Sequence, residues 1–218
     1  QLIPSLMRLL QYHSNGTTDV TVYDGDQFEE HNRERQVHSS GSKAERLNEL
    51  LINQELLPVC IDRYMSKPLM SKLCTTDVLE GSTRLVIAAV DNDATRKMCI
   101  DTLVMMEGNF LFITPGNSDA TDPETDIRGN VLWFGHINGQ HIGINPSLLF
   151  PNIERPNDGI PRKGSCAENA PSTPQLIASN ALAAAYTLTI VQNFLDDRMP
   201  NEASHLFFNG RTLSLTAN

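Results

Sequence analysis

The chain has 218 residues, 40% of them hydrophobic and 20% charged, which is the balance of a globular domain with a buried core. Its formal net charge of −9, from 26 acidic and 17 basic residues, argues against a general nucleic-acid-binding or anionic-membrane-binding surface. Polar residues interrupt the longest apolar region, residues 178–195, so no membrane-spanning helix is predicted. The four cysteines form no C-x-x-C pair, and we expect a reduced, cytoplasmic protein.

Hydrophobic periodicity predicts alternating helices and strands in the first half of the chain. The predicted elements are a helix over 2–13, a strand over 19–23, an amphipathic helix over 43–57, a strand over 58–62, a short helix over 67–73, a strand over 84–90, a helix over 94–106 and a strand over 109–114. This alternation is typical of a parallel sheet with right-handed crossovers. The strand over 84–90 is nearly all apolar, so we expect both of its faces to be buried.

The second half is predicted to add antiparallel strands. Asn138-Gly139, flanked by alternating apolar residues, is a strong hairpin signal. Residues 145–172 are rich in proline, glycine and charge and predict a long loop, a candidate lid or binding loop. A largely apolar, central helix over 178–195 and a closing hairpin about Asn209-Gly210 follow. The predicted fold class is α/β: a Rossmann-like, doubly wound, mainly parallel sheet extended by antiparallel strands.

Acidic residues follow two of the predicted strands. Asp24 comes after the strand over 19–23, and Asp91 comes after the strand over 84–90. Ligands of doubly wound sheets bind beyond the carboxyl ends of the strands, and an acid at such an end accepts hydrogen bonds from ribose hydroxyls. Asp24 is therefore a candidate ribose ligand, with a simple Asp-Gly turn as an equally weighted alternative.

Three motifs resemble those of the ThiF/MoeB adenylating family, whose fold ubiquitin-activating enzymes share. Residues 24–36, DGDQFEEHNRERQ, resemble its D-x-D-x-φ-E-x-x-N-x-x-R-Q pattern, with φ apolar. Gly41-Ser42-Lys43 is similar to the opening of the family's next helix, and Val90-Asp91-Asn92 to its T-D-N strand end. Residues 164–195, with a Ser-Cys-x-x-Glu stretch before the last long helix, most resemble the PRTRC-type ThiF-like proteins.

The resemblance implies a role for each residue that falls on a motif. Asp24 is expected to hold the ATP ribose, Asn32, Arg35 and Lys43 the triphosphate, and Asp91 Mg²⁺, with Arg35 and Asp91 as the catalytic pair. This set suits attack on a phosphate, because the transition state gathers negative charge that cations and positioned donors neutralise. The plainer alternatives are an Arg35 ion pair with a neighbouring glutamate, a surface position for Lys43 and a helix-capping role for Asp91.

The sequence also departs from the family. The glycine-rich loop G-x-G-G-x-G is missing, so we interpret residues 1–218 as a single ThiF-like adenylation domain without its first strand and phosphate loop. The family's paired zinc cysteines have no counterpart, and we expect no zinc. Cys166 is the one plausible thioester nucleophile, although a structural thiol is the simpler interpretation. His136 and His141 flank the Asn138-Gly139 turn. They could bind a metal ion, but a solvated hairpin is the simpler interpretation.

The expected function is that of an ATP-dependent adenylyltransferase. It would activate the C-terminal carboxylate of a ubiquitin-like or sulfur-carrier-like protein and release pyrophosphate. The alternatives are a non-catalytic nucleotide-binding or assembly module and, less favoured, an NAD-dependent oxidoreductase, because Asp24 serves either cofactor. The resemblance also implies a homodimer, with the run Val131–Phe134 as a candidate contact or, more simply, internal sheet core.

Overall fold

A computed structural model describes residues 2–13, 18–28, 41–53, 55–76, 81–117, 127–161, 177–200 and 203–217. These residues group into two compact units. The first unit is Gln1–Met65 with Pro161–Ala170, and the second is Ser66–Ile160 with Pro171–Asn218. None of the helices in the described ranges has the length and apolar character needed to cross a membrane.

The first unit combines two helices with two small strand pairs. Its elements are α1 (Leu2–His13), β1 (Thr21–Tyr23), β2 (Gln27–Phe28), β3 (Gly41–Ser42), α2 (Lys43–Leu51) and β4 (Val59–Ile61). Strands β1 and β4 pair in parallel, as the predicted crossover requires, and β2 pairs antiparallel with β3. Helix α2 was predicted to reach residue 57 but ends at Leu51. The apolar side chains of Ile52 and Leu57 beyond it are mostly exposed, so little burial stabilises a longer helix.

The second unit is built on a mixed sheet of six strands. Its elements are α3 (Lys67–Thr75), β5 (Thr83–Ile87), α4 (Asp93–Val104), β6 (Asn109–Asn117), β7 (Arg128–Ile137), β8 (Gln140–Gly143), α5 (Pro146–Leu149), α6 (Pro151–Glu154), α7 (Ile177–Leu195), β9 (His205–Asn209) and β10 (Ser214–Ala217). The strand order is β10-β9-β7-β6-β5, and β8 also pairs with β7. Strands β5 and β6 are parallel, and the remaining pairs are antiparallel. The predicted α/β class with an antiparallel extension is confirmed.

The centre of this sheet forms the core of the second unit. Phe112 on β6 and Trp133 on β7 are almost fully buried, and helix α7 packs against both strands. The whole run Val131–Phe134 is buried, so it is internal sheet core and not a surface contact. Helix α7, which was predicted to be largely apolar and central, buries one stripe that includes Ser179, Ala183 and Thr187, and it packs on β6 and β7.

Two turn predictions are confirmed by the backbone. Asn138 and Gly139 have φ of 51° and 79°, the left-handed pair that a tight two-residue hairpin requires, and they join β7 to β8. The second hairpin joins β9 to β10 around Gly210.

Three predictions about the second unit were wrong in detail. All five residues of β5 are only half-buried, because β5 ends the strand order and pairs only with β6 among the described strands. Strand β6 continues through Pro115-Gly116, where β5 has already ended and proline is tolerated at an edge. The predicted loop over 145–172 contains two short helices, each with proline in its first turn.

Gly135 on β7 provides a test of this packing. A Cβ at this position would lie 2.4 Å from the Phe110 carbonyl oxygen, so we expect Gly135→Ala to destabilise the protein by about 1–3 kcal/mol. Urea unfolding followed by circular dichroism measures the change. Gly159→Ala is the matched control, because no atom of the residues that the structure describes lies within 4 Å of its Cβ position. Equal unfolding midpoints for the two variants would contradict the packing described.

Candidate functional site

Asp24 lies directly beyond the carboxyl end of β1, as predicted. Its backbone N–H donates to the Ile61 carbonyl oxygen at 3.1 Å, which extends the pairing between β1 and β4 by one residue. Its Oδ1 atom accepts a 2.9 Å hydrogen bond from the backbone N–H of Asp26. The carboxyl group is therefore held in an Asx turn at the strand end, and the half-buried side chain has a fixed direction.

Asp26 connects Asp24 to the predicted triphosphate ligand Lys43. The Lys43 ammonium donates to Asp26 Oδ2 at 2.8 Å, and the Tyr64 hydroxyl donates to Asp26 Oδ1 at 2.6 Å. The backbone N–H of Lys43 also bonds the Asp26 carbonyl oxygen at 3.1 Å, which fixes the start of α2. We call Asp24, Asp26, Lys43 and Tyr64 the Asp26 cluster. Lys43 is thus ion-paired, a contact that neither its predicted phosphate role nor the alternative of a surface position included.

Burial and hydrogen bonding move the two carboxyl groups of this cluster in opposite directions. Burial raises the pKa of Asp24, the charges of Asp26 and Asp62 add to the rise, and the Asp26 N–H and Lys43 offset only part of it. Burial would also raise the pKa of Asp26, but the hydrogen bonds from Lys43 and Tyr64 outweigh it and hold that pKa below its usual range. Asp26 therefore stays ionised to lower pH than Asp24.

Gly25 lets Tyr64 approach the turn between the two acids. A Cβ at residue 25 would lie 2.6 Å from Tyr64 Cδ2 and 2.7 Å from the Tyr64 backbone nitrogen. Since no side chain fits there, the Asp-Gly sequence has a packing reason as well as a turn-forming one. The turn alternative and the ribose-ligand prediction for Asp24 are compatible.

Asp91 lies between β5 and α4 in the second unit. Its side chain is exposed and forms no hydrogen bond or ion pair with the residues that the structure describes. The helix-capping alternative for Asp91 is wrong, because Asn92 caps α4: its Oδ1 accepts from the Thr95 N–H at 2.6 Å. Asp91 is left facing solvent at the strand end.

One long-range contact and one local contact fix the backbone on either side of Asp91. Asn92 Nδ2 donates to the Gly159 carbonyl oxygen at 2.6 Å, and Arg96 donates to the Val90 carbonyl oxygen. The Asp158 carboxylate then accepts 2.8 Å hydrogen bonds from the first two backbone N–H groups of α4, where a negative charge is favourable. Sequence reasoning missed Asp158, which lies in the segment predicted to be a loop.

Arg96, which follows the T-D-N-like motif, is occupied within the second unit. It forms a 2.6 Å ion pair with Asp93 and donates from Nε to Thr114 Oγ1 at 3.1 Å. Thr114 in turn donates to the Ala88 carbonyl oxygen at 2.9 Å. These bonds tie α4 to the ends of β5 and β6, so Arg96 has a structural role.

Asp91 offers a single carboxylate to a metal ion. No group of three or more histidine, cysteine or acidic side chains in the described part of the chain is arranged to hold one. Mg²⁺ does not need such a group, since it commonly binds one or two carboxylates, water and the phosphates of a substrate. An exposed acid on a fixed turn fits this mode of binding.

Three predicted site residues lie outside the described part of the chain, and the three described cysteines are poorly reactive. Asn32, Arg35 and Cys166 lie outside the described residues. Burial raises the pKa of the free thiols Cys60 and Cys74 and raises that of Cys99 to about 12, so these three are poor nucleophiles at neutral pH.

Two other features of the second unit lie apart from its predicted site residue, Asp91. His136 and His141 face each other across the β7–β8 hairpin with ring centres 5.3 Å apart. A cavity of about 330 Å³ lies on the sheet and is lined by Arg128, Gly129, Asn130, Phe207, Phe208, Asn209, Ser214 and Thr216. Asp91 is not among its lining residues.

Solved structures share this fold. E. coli MccB with AMPCPP and selenomethionine MccA superposes with a TM-score of 0.56 at 15% identity, over 99% of this chain and 60% of the MccB chain. E. coli MccB with succinimide gives a TM-score of 0.55 at 14% identity, over 97% and 59%. The chain spans about three fifths of MccB, and the Rossmann-like α/β fold is confirmed. No protein-family model and no curated protein matches the sequence.

Asp158 is expected to stabilise the start of α4. Asp158→Ala removes the acceptor of two backbone N–H groups and should lower the free energy of unfolding by about 1–2 kcal/mol. Asp101→Ala is the control, since Asp101 lies on α4 itself and, among the described residues, its side chain forms an i,i+4 pair with Lys97 worth about 0.5 kcal/mol or less. An equal loss in both variants, measured by urea unfolding, would argue against the capping role.

Asp24 and Asp26 should affect the pH dependence of stability with opposite signs. The folded-state pKa of Asp24 is raised, so its ionisation reduces stability as pH rises above the ordinary value of 3.8. Asp24→Asn keeps an oxygen acceptor for the Asp26 N–H and should therefore be more stable than the parent at neutral pH, with the advantage lost at low pH. Thermal unfolding across pH 3–8 measures this.

Asp26→Asn is the matched comparison. The folded-state pKa of Asp26 is lowered, so its stabilisation is present at neutral pH and lost as pH falls through that pKa. The variant should lose about 0.5–1.5 kcal/mol at neutral pH, a range kept small because the side chain is half-exposed. The same sign for both variants would contradict the opposite environments of the two acids.

Proposed function

We propose that this chain is an ATP-dependent adenylyltransferase that activates a protein or peptide carboxylate. The observation that supports this most is the Asp26 cluster, which places the predicted ribose ligand Asp24 and the predicted phosphate ligand Lys43 on either side of one residue. The fold shared with MccB adds to it, because that protein was solved with AMPCPP, an ATP analogue, and with MccA. The motif over residues 24–36 suits the same chemistry.

The proposed reaction is nucleophilic attack on the α-phosphorus of ATP. A carboxylate oxygen of the acceptor forms a bond to phosphorus, the bond from phosphorus to the oxygen bridging to the β-phosphate breaks, and pyrophosphate leaves with that electron pair. The product is an acyl adenylate. Lys43, Asn32 and Arg35 are proposed to hold the phosphates. Asp91 would hold Mg²⁺, which would supply positive charge that neutralises the phosphates.

The finer parts of the proposal rest on the family resemblance alone. We propose a ubiquitin-like or sulfur-carrier-like protein as the acceptor, a homodimer as the working assembly and the PRTRC-type proteins as the nearest subgroup. Cys166 is the candidate nucleophile for a subsequent thioester, in which its sulfur would displace AMP from the acyl adenylate.

The ion pair of Lys43 favours a second candidate, a nucleotide-binding module that does not catalyse the reaction. Asp26 neutralises the Lys43 charge at a distance of 2.8 Å, so the described part of this site offers little net positive charge to a triphosphate. Catalysis then depends on Arg35 and Mg²⁺ to supply the missing charge. A module without catalysis would bind ATP and never release pyrophosphate.

ATP–pyrophosphate exchange by the intact protein tests the proposal, with ubiquitin and a sulfur-carrier protein as carboxylate probes. We expect exchange that requires Mg²⁺ and falls about a hundredfold or more in Asp91→Asn and Arg35→Ala. The matched controls are Asp101→Asn and Arg46→Ala, whose side chains form exposed ion pairs within α4 and α2. Equal activity in Asp91→Asn and Asp101→Asn would contradict the role of Asp91.

Binding measurements separate the alternatives. Calorimetry with Mg·ATP in competition with NAD should show preference for ATP, and preference for NAD would favour the oxidoreductase alternative. ATP binding without exchange on either probe would favour the non-catalytic module.

A further inference from the structure

Tyr64 reaches the Asp26 cluster from a distant part of the sequence, 38 residues beyond Asp26. We propose that Tyr64 is a positioning residue for the nucleotide: through Asp26, its hydroxyl fixes the ammonium group of Lys43 where a triphosphate would be held. The identity of the ligand rests on the proposed function, whereas the fixing of Lys43 rests on the geometry of the first unit alone.

Both carboxylate oxygens of Asp26 accept a hydrogen bond. Lys43 bonds Oδ2 at 2.8 Å and Tyr64 bonds Oδ1 at 2.6 Å. A carboxylate held at one oxygen can still turn about its Cβ–Cγ bond, but one held at both oxygens has a fixed plane. The position of Oδ2, and with it the direction of the Lys43 hydrogen bond, is therefore set by Tyr64.

The position of Tyr64 is set by the chain around it. The tyrosine follows β4, whose parallel pairing with β1 brings the two strand ends together, and the Arg63 N–H bonds back to the Ile61 carbonyl oxygen at 2.8 Å. The ring lies against Gly25, where even a methyl group would come within 2.7 Å of Tyr64 Cγ. The hydroxyl is thus placed by backbone contacts, and its bond to the ionised Asp26 is short and charge-assisted.

Lys43 is suited to hold a phosphate group once its position is fixed. Lysine has three N–H donors and a flexible side chain that loses conformational entropy when it is ordered. Within the part of the chain that the structure describes, one donor is bonded to Asp26 and two remain for phosphate oxygens. Part of the ordering cost is already met before the ligand binds. The ammonium is also partly accessible, because 27% of the Lys43 side chain is exposed.

A purely structural role for Tyr64 would leave the reactivity of Lys43 unchanged in a folded variant, whereas a positioning role would change it. Tyr64→Phe keeps the ring against Gly25 and removes only the hydroxyl, so the packing of the unit should survive. Tyr12→Phe is the matched control, because this tyrosine is in the same unit and is 83% exposed. Tyr12→Phe should unfold at nearly the same urea concentration as the parent protein, whereas Tyr64→Phe should lose about 0.5–1.5 kcal/mol, the cost of one hydrogen bond, and remain folded.

The test measures Lys43 directly and then the nucleotide. In the full chain we expect Tyr64→Phe to raise the rate of Lys43 acetylation about three- to tenfold, measured by peptide mass spectrometry with the exposed Lys67 as internal reference. The dissociation constant of Mg·ATP and the KM for ATP should rise about five- to tenfold, as expected for one lost hydrogen bond, with a smaller change in kcat. Tyr12→Phe should change none of these.

The two measurements separate this inference from the proposed function. Unchanged Lys43 acetylation in Tyr64→Phe would overturn the positioning role, whatever the protein binds. Faster Lys43 acetylation with unchanged Mg·ATP affinity would overturn its link to the nucleotide. If the parent protein binds no Mg·ATP at all, the proposed function fails, while the acetylation rates still decide whether Tyr64 fixes Lys43.

Discussion

The ionised carboxylate of Asp26 is the constraint on which the candidate site depends. It joins the end of β1, the first residue of α2 and the segment after β4, because Lys43 and Tyr64 each bond one of its oxygens. The Asp26 carbonyl oxygen also accepts the Lys43 N–H, so one residue fixes both the backbone and the side chain of that lysine. Burial opposes ionisation of Asp26, and these hydrogen bonds overcome it.

This arrangement has a consequence for anion binding. The protein is acidic overall, with a net charge of −9, and within the Asp26 cluster a single ammonium faces two carboxyl groups. A triphosphate therefore cannot be attracted by a general positive field, as it would be on a basic surface. Under the proposed function, the cations that make binding favourable are Arg35 and the Mg²⁺ that arrives with the nucleotide.

Local sequence patterns predicted the elements and the strand-end acids, but not the contacts between distant residues. The Asn138-Gly139 hairpin and the position of Asp24 follow from short-range turn chemistry and periodicity. Tyr64 and Asp158 were missed because their hydrogen-bond partners are distant in sequence. Tyr64 bonds Asp26, 38 residues away, and Asp158 bonds the N–H of Asp93, 65 residues away. For Pro115 the local rule failed, since the sheet tolerates proline at an edge that only strand pairing defines.

The two strand-end acids show how environment divides the roles of one residue type. Asp24 is half-buried and bonded to a backbone N–H, and its raised pKa reflects a setting in which a free negative charge is costly. Such a carboxyl suits neutral donors such as ribose hydroxyls, which add hydrogen bonds without adding charge. Asp91 is exposed, and its flanking residues are fixed by Gly159 and Arg96, so it can meet a hydrated cation without losing its own hydration first. Asp24 would therefore be a poor metal ligand and Asp91 a poor ribose ligand, because each proposed role needs the degree of burial that its own residue has.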